Sequence, residues 1–450
     1  MRISTVEGGF AAAHGALTTG VFFTGFALLM GADDAVMGIL AAIPYLGQVC
    51  QLLSAYLTER TGKVKAVTLA GGAGGRLIWV FPIVLLFLPG LSLSFRIGAL
   101  IVFFVLSYGL LYISYNSWTA WMSELIPERL RGRYFGARNV VVVIVALALT
   151  LAGGVVLDAF QRVDLERLGF AAIFAVAVVA AAASAVLLTK QPVLAAPASS
   201  AADFFRKLRA PLADANYRRV LYFFAAWNFA WGVPLAFWNV HMLAYLRMSY
   251  FQASLFNAIL SLVSAVAYPV WGKITDRAGN KPVLAITAAA IGVLPLLWLA
   301  PRPGAIWPIW LIPFVAGSSW AGFNLAAFTF PLALAPRAAR VHYVAVFGIL
   351  TGAAAFVAST LGGFIAQAMA PYIWVIGGVE FINYHFLFAL SAAGRLACLL
   401  ILRRIRDERS AGVRAAVALV GDAVHDRLAA MTQFFPAWIR LRPRGSRGQD

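Results

Sequence analysis

The sequence contains one short polar loop twice, at positions separated by about half of the chain. The first copy reads Ala55-Tyr-Leu-Thr-Glu-Arg-Thr-Gly-Lys63, and the second reads Gly272-Lys-Ile-Thr-Asp-Arg-Ala-Gly-Asn-Lys281. In both copies an acid and an arginine are followed by one spacer, a glycine and, within two positions, a basic residue. Apolar segments lie on either side of each loop. A motif repeated in this way indicates that the chain consists of two similar halves.

The composition is that of an integral membrane protein. Of the 450 residues, 62% are hydrophobic and 12% are charged, and the mean hydropathy is +0.83. Soluble domains contain about 25% charged residues. The apolar segments are roughly 20 residues long, which is the length that crosses a bilayer as an α-helix, and they lack the alternating pattern of barrel strands. We therefore expect an all-α membrane protein.

We predict twelve transmembrane helices, numbered helix 1 to helix 12 in chain order. Their expected ranges are 9–31, 35–58, 66–89, 97–124, 138–158, 169–189, 218–245, 250–272, 282–301, 306–333, 343–369 and 381–403. Both cysteines, Cys50 and Cys398, lie within these ranges. We therefore expect neither a disulfide framework nor a metal site, and no motif indicates a cofactor.

Four matched positions support the division into halves. The matched pairs are Glu59 with Asp276, Asn116 with Asn324, Pro127 with Pro336, and Thr150 with Thr360. All four pairs occur in the same order along the two halves, which is hard to obtain by chance.

These matches set the expected domain boundaries. We predict an N-terminal six-helix half over 1–189, a cytoplasmic linker over 190–217 with a short amphipathic helix, and a C-terminal six-helix half over 218–405. Apolar residues at three- and four-residue spacing indicate that 406–450 forms a cytoplasmic amphipathic helix on the membrane surface, followed by a basic tail.

Basic residues concentrate in alternate loops. When both termini are placed on the cytoplasmic side, the outer loops receive only Arg96, Arg162, Arg167, Arg247 and Arg302. Such a bias sets the orientation of a membrane protein. The formal net charge of +18 then lies beside anionic lipid headgroups, and we do not expect nucleic acid to bind.

With these loops, the chain resembles the major facilitator superfamily of secondary transporters over about residues 5–405. The loop hallmark of that family is Gly-x-Leu-x-Asp-Arg-x-Gly-Arg-Lys, and the second copy departs from it only at Ile274 and Asn280. The first copy departs more, with Ala55 in place of glycine and Glu59 in place of aspartate. The resemblance implies two pseudo-symmetric six-helix halves that transport a small solute by alternating access. It also implies a non-enzymatic monomer in the bacterial inner (plasma) membrane.

The resemblance further implies a conformational latch at the cytoplasmic ends of the helices. A carboxylate there can accept hydrogen bonds from a facing helix N-terminus and from a nearby arginine. The residues assigned to this latch are Glu59, Arg60, Gly62, Arg131, Arg138, Gly272, Asp276, Arg277, Gly279 and Lys281. The alternative is that the basic residues between helices 4 and 5 only bind lipid headgroups.

In the family, helices 1, 4, 7 and 10 line the substrate cavity with help from helices 2, 5, 8 and 11. Their aromatic and amide residues in this chain, with one histidine, are His14, Gln48, Gln51, Tyr112, Tyr115, Asn116, Trp227, Asn228, Trp231, Trp320 and Asn324. Such a lining suits a neutral, amphipathic or cationic small molecule better than a polyanion. The alternative is that these rings fill helix contacts and interface belts.

Few titratable groups lie within the predicted spans. No aspartate or glutamate falls in the middle of a span, so the sequence does not identify the coupling proton or ion, and His14 fits a packing role better than a coupling role. Arg76 and Arg395 do lie within spans. We favour anchoring over anion binding for both, because helices 3 and 12 are peripheral in the family.

A membrane-embedded enzyme would need converging acids, histidines or cysteines, which the spans lack. A member of this fold that does not transport, such as a sensor or assembly factor, would have nearly the same sequence pattern. The two hypotheses that remain are therefore transport and a non-transporting role.

Overall fold

The computed structural model describes residues 1–47, 50–192, 210–336, 339–407, 410–412 and 414–421. Within these ranges, eleven helices are long and apolar enough to cross a membrane, and the shorter apolar helix Asp34–Gly47 belongs to a twelfth. The predicted all-α membrane fold is confirmed.

The first half consists of six rods, which we label α1 to α6, and its first three rods each contain two helical segments. The rods are α1 (Arg2–Thr18 and Gly20–Leu29), α2 (Asp34–Gly47 and Cys50–Thr61), α3 (Val64–Leu77 and Val80–Phe87), α4 (Leu93–Leu125), α5 (Glu128–Gln161) and α6 (Glu166–Thr189).

The second half repeats this arrangement with rods α7 to α12. They are α7 (Ala215–Gly232, Phe237–Val240 and a π-helical turn at His241–Tyr245), α8 (Tyr250–Ala278), α9 (Asn280–Leu297), α10 (a 3-10 turn at Trp307–Leu311, then Ile312–Leu334), α11 (Arg340–Met369) and α12 (Asn383–Arg403). A short helix, Ala210–Ala213, precedes α7. The strands β1 (Trp374–Ile376) and β2 (Val379–Phe381) form an antiparallel hairpin between α11 and α12.

Most predicted helix ranges agree with the observed rods to within a few residues, and the larger differences have physical causes. Rods α1 and α5 begin seven and ten residues earlier than the apolar pattern predicts, because partners in the folded chain compensate the charges of the added turns. In the added part of α1, a carboxylate oxygen of Glu7 lies 3.4 Å from the guanidinium of Arg138, the eleventh residue of α5. In the added part of α5, Arg131 donates to the Ile126 carbonyl group. Rod α7 is interrupted between Gly232 and Phe237, where Pro234 lacks a backbone donor for a continuous helix.

The matched loop residues occupy corresponding rods. Glu59 lies near the end of α2 and Asp276 near the end of α8, while Pro127 directly precedes α5 and Pro336 lies four residues before the start of α11. Two other predictions lie mainly outside the described residues. They are the amphipathic helix of the linker, which would fall within 193–209, and the tail helix, of which only 414–421 is described and is helical.

Each half has a core of buried aromatic residues. In the first half, the Phe174 ring lies at 5.2 Å from the rings of both Phe26 and Trp79, with edge-on geometry. In the second half, Trp227 stacks on Phe323 at 4.6 Å. Such contacts matter in a membrane because lipid offers little hydrophobic driving force, so helix association depends on close packing.

The halves meet where α1 ends and α2 begins, which we call the far end; the opposite end, where α1 starts and α12 stops, is the terminal end. At the far end, a Cβ atom on Gly38 of α2 would lie 2.5 Å from the Cα atom of Gly363 of α11. The Ser359 hydroxyl also donates to the Gly38 carbonyl at 2.9 Å. A Cβ atom on Gly154 of α5 would lie 2.8 Å from the Cα atom of Phe251 of α8. Both interfaces between the halves therefore rely on backbone contact at glycine.

The Gly38–Gly363 contact leaves no room for a side chain. We expect Gly363→Leu to open the far end, because overpacking costs about 1–3 kcal/mol and would shift the ratio of closed to open molecules roughly 5- to 100-fold. The measurement is maleimide labelling of a cysteine placed at Asp34, in a background with Cys50 and Cys398 replaced by alanine.

Gly348→Leu is the matched control, since no heavy atom lies within 4 Å of a Cβ atom at Gly348 on the same rod. We expect this variant to label like the parent protein. Equal labelling of the two leucine variants would contradict the proposed role of the glycine contact.

Candidate functional site

An acid of the first half caps a helix of the second half at the far end. The carboxylate of Asp158, near the end of α5, accepts hydrogen bonds from the backbone N–H groups of Tyr250 (2.7 Å) and Phe251 (3.1 Å). These are the first two residues of α8, whose N–H groups have no partner within the helix. The negative charge also interacts favourably with the helix dipole. The Tyr250 hydroxyl donates to Glu166 of α6 at 2.7 Å, which adds a second bond to this contact.

A second acid joins α2 to the end of α11 and the start of α12. The Asp34 carboxylate accepts hydrogen bonds from the Asn383 amide and the Tyr384 hydroxyl, both at 2.8 Å. The backbone N–H of Asp34 donates to the Gln367 side chain at 3.1 Å. Three carboxylates therefore hold the far end together, with Asp158 and Glu166 in the interface with α8 and Asp34 in the interface with α11 and α12.

The terminal end shows a different arrangement. Every hydrogen bond between described groups of the two halves lies at the far end. Asp276 and Arg277 are exposed, and Asp276 forms no hydrogen bond or ion pair within the described part of the chain. The side chain of Glu59 lies outside the described residues. Within the described part of the chain, neither Asp276 nor Arg277 joins the halves in this conformation.

The arginines of the α4–α5 loop bind within their own half. Arg131 donates to the carbonyl groups of Ser123 and of Ile126, at the end of α4. A cation in this position compensates the unpaired carbonyl groups of a helix C-terminus. Arg138 forms the ion pair with Glu7 and lies 4.3 Å above the ring of Trp118. Both arginines therefore stabilise the first half in this conformation.

A lysine at or just beyond the end of each repeated loop also acts within its own half; these are Lys65, two residues beyond the first loop, and Lys281, the last residue of the second. Lys65 donates to the carbonyl group of Thr189 at the end of α6 at 2.7 Å, and Lys281 donates to that of Ile405 beyond α12 at 2.6 Å. Each lysine thus ties the loop to the last rod of its own half.

Four other loop residues make no contact between the halves in the described part of the chain. Arg60 donates to the hydroxyl of Tyr56 at 2.9 Å. Gly62 and Gly279 have φ angles of +62° and +89°, which end their helices in a conformation that disfavours other residues. Gly272 has no heavy atom within 4 Å of a Cβ position, so its surroundings do not require a glycine.

A cavity of about 490 Å³ lies in the second half between α7, α8, α9, α10 and α12. Its walls contain four indole rings, three amides, a hydroxyl and a guanidinium, from Trp231, Trp238, Trp298, Trp320, Asn239, Asn257, Asn324, Ser264 and Arg395. The Trp231 ring also lies 5.7 Å from the Tyr45 ring of α2, so the cavity borders the interface between the halves. Its size and mixed lining are typical of sites for small organic molecules.

Three of the predicted cavity residues, Trp231, Trp320 and Asn324, line this cavity together. Two others on α7 lie elsewhere. Trp227 is buried in the core against Phe323, and the Asn228 amide donates to the Phe224 carbonyl of its own rod at 2.8 Å.

The predicted residues of the first half do not belong to this cavity. On α4, Tyr112 packs against Gly47, and Tyr115 is 65% exposed. Asn116, also on α4, is half-buried. Gln48 lies outside the described residues, and so does the side chain of Gln51.

His14 is part of the packing of the first half. Its ring nitrogens lie 3.3 Å from the Arg76 carbonyl oxygen and 3.4 Å from the Thr18 hydroxyl, and its ring contacts Trp79 edge-on. Arg76 itself donates to the Ser184 hydroxyl at 3.1 Å, and Ser184 donates to Glu7 at 2.9 Å. The half-buried Arg76 therefore connects to an acid within its own half.

Sequence reasoning did not identify Asn257, Ser264, Trp298 or Arg395 as cavity residues, nor the far-end acids as functional groups. Asn257 and Ser264 are seven residues apart, so they share one face of α8, and this spacing is a signal the sequence does contain. Trp298 and Arg395 come from α9 and α12, which the resemblance places at the periphery. For Arg395 the anchoring interpretation was favoured, yet the structure places it in the cavity wall.

Two histidines meet near the far end of the second half. The Nε2 atoms of His241 on α7 and His385 on α12 lie 3.2 Å apart, and both residues are buried. The Nδ1 atom of His385 accepts from the Ile382 backbone N–H at 3.2 Å. Neutral His385 therefore carries its proton on Nε2 and donates to His241. The proton of His241 is then on Nδ1, which is buried without a described partner.

Comparison with known proteins identifies the family. The chain matches the family model of the Major Facilitator Superfamily over residues 8–359. The nucleoside transporter NupG is 11% identical, with 90% of this chain and 99% of that chain covered and a TM-score of 0.67. For a D-xylose-proton symporter, the values are 16% identity, coverage of 90% and 97%, and a TM-score of 0.63. These low identities show a shared fold alone.

One curated relative matches a shorter stretch. The tetracycline resistance protein, class E, of Escherichia coli is 26% identical over 134 residues, which is 29% of this chain and 32% of that protein. The match thus spans about a third of the length of that relative. The family model, in contrast, spans most of the chain, and we conclude that this integral membrane protein belongs to the Major Facilitator Superfamily, a family of transporters rather than enzymes.

Proposed function

We propose that the protein is a secondary active transporter that moves a small amphipathic organic solute by alternating access. The observation that carries this proposal is the unequal closure of the two ends. Carboxylates and glycines join the halves at the far end, whereas the described latch residues Asp276 and Arg277 at the terminal end do not. Such an arrangement is expected of one state in a cycle that exposes the site to each side in turn.

The orientation and domain division are part of this proposal. With both termini in the cytoplasm of a bacterium and the rods in the inner (plasma) membrane, the terminal end faces the cytoplasm. The moving units are the halves 1–189 and 218–405, linked by 190–217, with 406–450 lying on the membrane surface. The protein acts as a monomer, because each half already contains a complete packed core.

The sequence predicts a neutral, amphipathic or cationic substrate. Of these three classes, the lining of the cavity best supports an amphipathic one. Indole rings supply apolar area, and amides such as Asn257 and Asn324 offer hydrogen bonds at fixed positions. A cation would meet the positive charge of Arg395 in the same wall, so the cationic class is disfavoured.

We also propose that the latch engages when the terminal end closes. In that state Glu59 and Asp276 would accept hydrogen bonds from the opposite half, with Arg131, Arg138 and the loop glycines and basic residues positioning them. The contact of Asp158 at the far end supports this kind of interaction, since there a carboxylate of one half accepts hydrogen bonds from the first N–H groups of a helix in the other half.

The histidine pair is the group that best supports coupling to a proton. If His241 takes up a proton, both Nε2 atoms carry hydrogen and the contact between the rings becomes repulsive. Tyr245 and Tyr384 contact the His241 ring, and Arg302 acts electrostatically on both histidines. Tyr384 binds Asp34, so protonation of the pair would also weaken far-end closure.

A non-transporting sensor or assembly factor is the alternative function. It would use the same fold but would not need the far-end contacts to break and re-form. Flux through purified protein in liposomes therefore separates the two functions.

A crosslink at the far end tests alternating access. In a background lacking Cys50 and Cys398, Asp34→Cys with Asn383→Cys replaces a far-end hydrogen bond by a pair of thiols. We expect oxidation to reduce solute flux in liposomes to the level of empty liposomes, and a reductant to restore it, because a crosslink prevents the far end from opening. The solutes are a radiolabelled panel of small neutral, cationic and anionic organic molecules. Either single-cysteine variant is the control, because it cannot form the crosslink. An unchanged flux after oxidation of the double variant would contradict alternating access.

The second prediction concerns the latch. Asp276→Asn is expected to lower the flux rate about tenfold without lowering protein yield, because it removes a charged acceptor worth about 1.5–3 kcal/mol in one of two states. Asp407→Asn, an acid beyond α12, is the control for a general effect of charge. Wild-type flux in the Asp276 variant would leave the acid without a latch role.

The third prediction concerns the proton. His385→Gln should remove the stimulation of flux by a pH gradient while keeping solute exchange without a gradient, since the paired proton site is lost. His14→Gln serves as the matched control, and it should retain the response to the gradient. If His14→Gln loses the stimulation of flux by the pH gradient, or if His385→Gln keeps it, proton coupling does not depend on the histidine pair.

A further inference from the structure

Arg395 is a buried cation at mid-depth of a membrane-spanning rod. It lies twelve residues after the start of α12 at Asn383 and eight before its last residue, Arg403, which is about 18 Å and 12 Å at the helical rise. The side chain is 2% exposed. Its Nη1 atom donates to the Ile291 carbonyl of α9 at 3.3 Å, and its guanidinium lies 5.8 Å from the ring centre of Trp238.

The remaining donors of Arg395 are unpaired. Nε and Nη2 are buried and have no hydrogen-bond partner in the described part of the chain. These two nitrogens form one edge of the guanidinium, the edge that binds both oxygens of a carboxylate side by side. The unpaired edge is therefore the one suited to a planar anion.

A second arginine within a membrane-spanning rod, Arg76, is connected to an acid, so the lack of a counter-ion among the described residues distinguishes Arg395 from it. Arg76, half-buried in the first half, reaches the acid Glu7 through the Ser184 hydroxyl. Arg395 has no such connection, and the ion pair between described side chains is that of Arg138 with Glu7. A buried charge without a counter-ion is costly in a membrane, and such residues mark substrate pathways.

Arg395 also lines the cavity, so a ligand there can supply the missing charge. We propose that the cavity binds an organic monoanion, with one carboxylate or similar group on the Nε–Nη2 edge of Arg395 and an apolar, preferably aromatic, body among the four indole rings. This inference rests on the proposed transport function and narrows its substrate class. A ligand with a single negative charge fits this cavity, because Arg395 can balance one charge and the amides and the hydroxyl of the wall are neutral.

The test compares three probes of equal shape on the purified full-length protein. They are 2-naphthoate, neutral 2-naphthamide and cationic 2-naphthylmethylammonium, titrated while the thermal unfolding midpoint is followed. We expect 2-naphthoate to bind at least tenfold more tightly than the amide. Arg395→Gln should lower its affinity about 10- to 100-fold, to that of the amide, since a charged hydrogen bond is lost. Arg395→Lys should retain part of the affinity.

Two matched variants control for general effects. Arg76→Gln removes a half-buried arginine outside the cavity and should keep the preference for 2-naphthoate, whereas Trp231→Ala should weaken the binding of all three probes. Equal affinity for acid and amide, or an unchanged affinity in Arg395→Gln, would overturn the proposal. A response to chloride that matches the response to 2-naphthoate would overturn the organic class.

A ligand-free measurement separates binding from anchoring. Replacing an unpaired buried charge by a neutral side chain of similar length should not destabilise the protein, so we expect Arg395→Met to keep or raise the unfolding midpoint while Arg76→Met lowers it. A clear fall in Arg395→Met, with no response to 2-naphthoate, would assign Arg395 to anchoring. If the protein transports neutral solutes but does not bind 2-naphthoate, this inference alone is overturned. If crosslinking the far end leaves the flux unchanged, the transport cycle alone is overturned.

Discussion

The contact on which the arrangement of the halves depends is a carboxylate placed against the first backbone N–H groups of a helix in the other half. Asp158 makes this contact with the start of α8, and Asp34 makes an analogous contact with the side chains at the start of α12. Hydrogen bonds to a charged group contribute about 1.5–3 kcal/mol each. The far end is thus held by several kcal/mol, a free energy comparable to the differences between the conformations of one protein.

Glycine determines how close the halves can come before these bonds form. Because Gly38 and Gly363 bring the backbones of α2 and α11 into contact, the short side chains of Asp34 and Ser359 can reach across the interface. Larger residues at the crossing would separate the rods and leave the carboxylate with water as its partner. The glycines set the geometry, and the acids supply the free energy.

The sequence was a good guide to the fold, because hydrophobic length and the repeated loop determine helix number and topology. It failed where partners come from distant segments. The charged first turns of α1 lie outside the predicted span, since only the folded chain shows that Arg138 neutralises Glu7. The cavity was predicted in part, through Trp231, Trp320 and Asn324. The role of Arg395 could not be read from its spacing, because an anchored arginine and an uncompensated one have the same sequence pattern.

The placement of the acids also bears on how two conformations can have similar free energies. The latch proposed from the sequence lies at the terminal end, whereas the bonded carboxylates of the structure lie at the far end. If each end is closed by carboxylates and helix N-termini of comparable strength, closing one end and opening the other exchanges similar interactions. The difference between the states then stays small, and a ligand that binds them unequally by about 5.5 kcal/mol can move the population from one to the other. A monoanion that neutralises Arg395 inside the membrane is a ligand of the kind that could supply such a difference, because the free energy of an unpaired buried charge changes most when its counter-ion arrives.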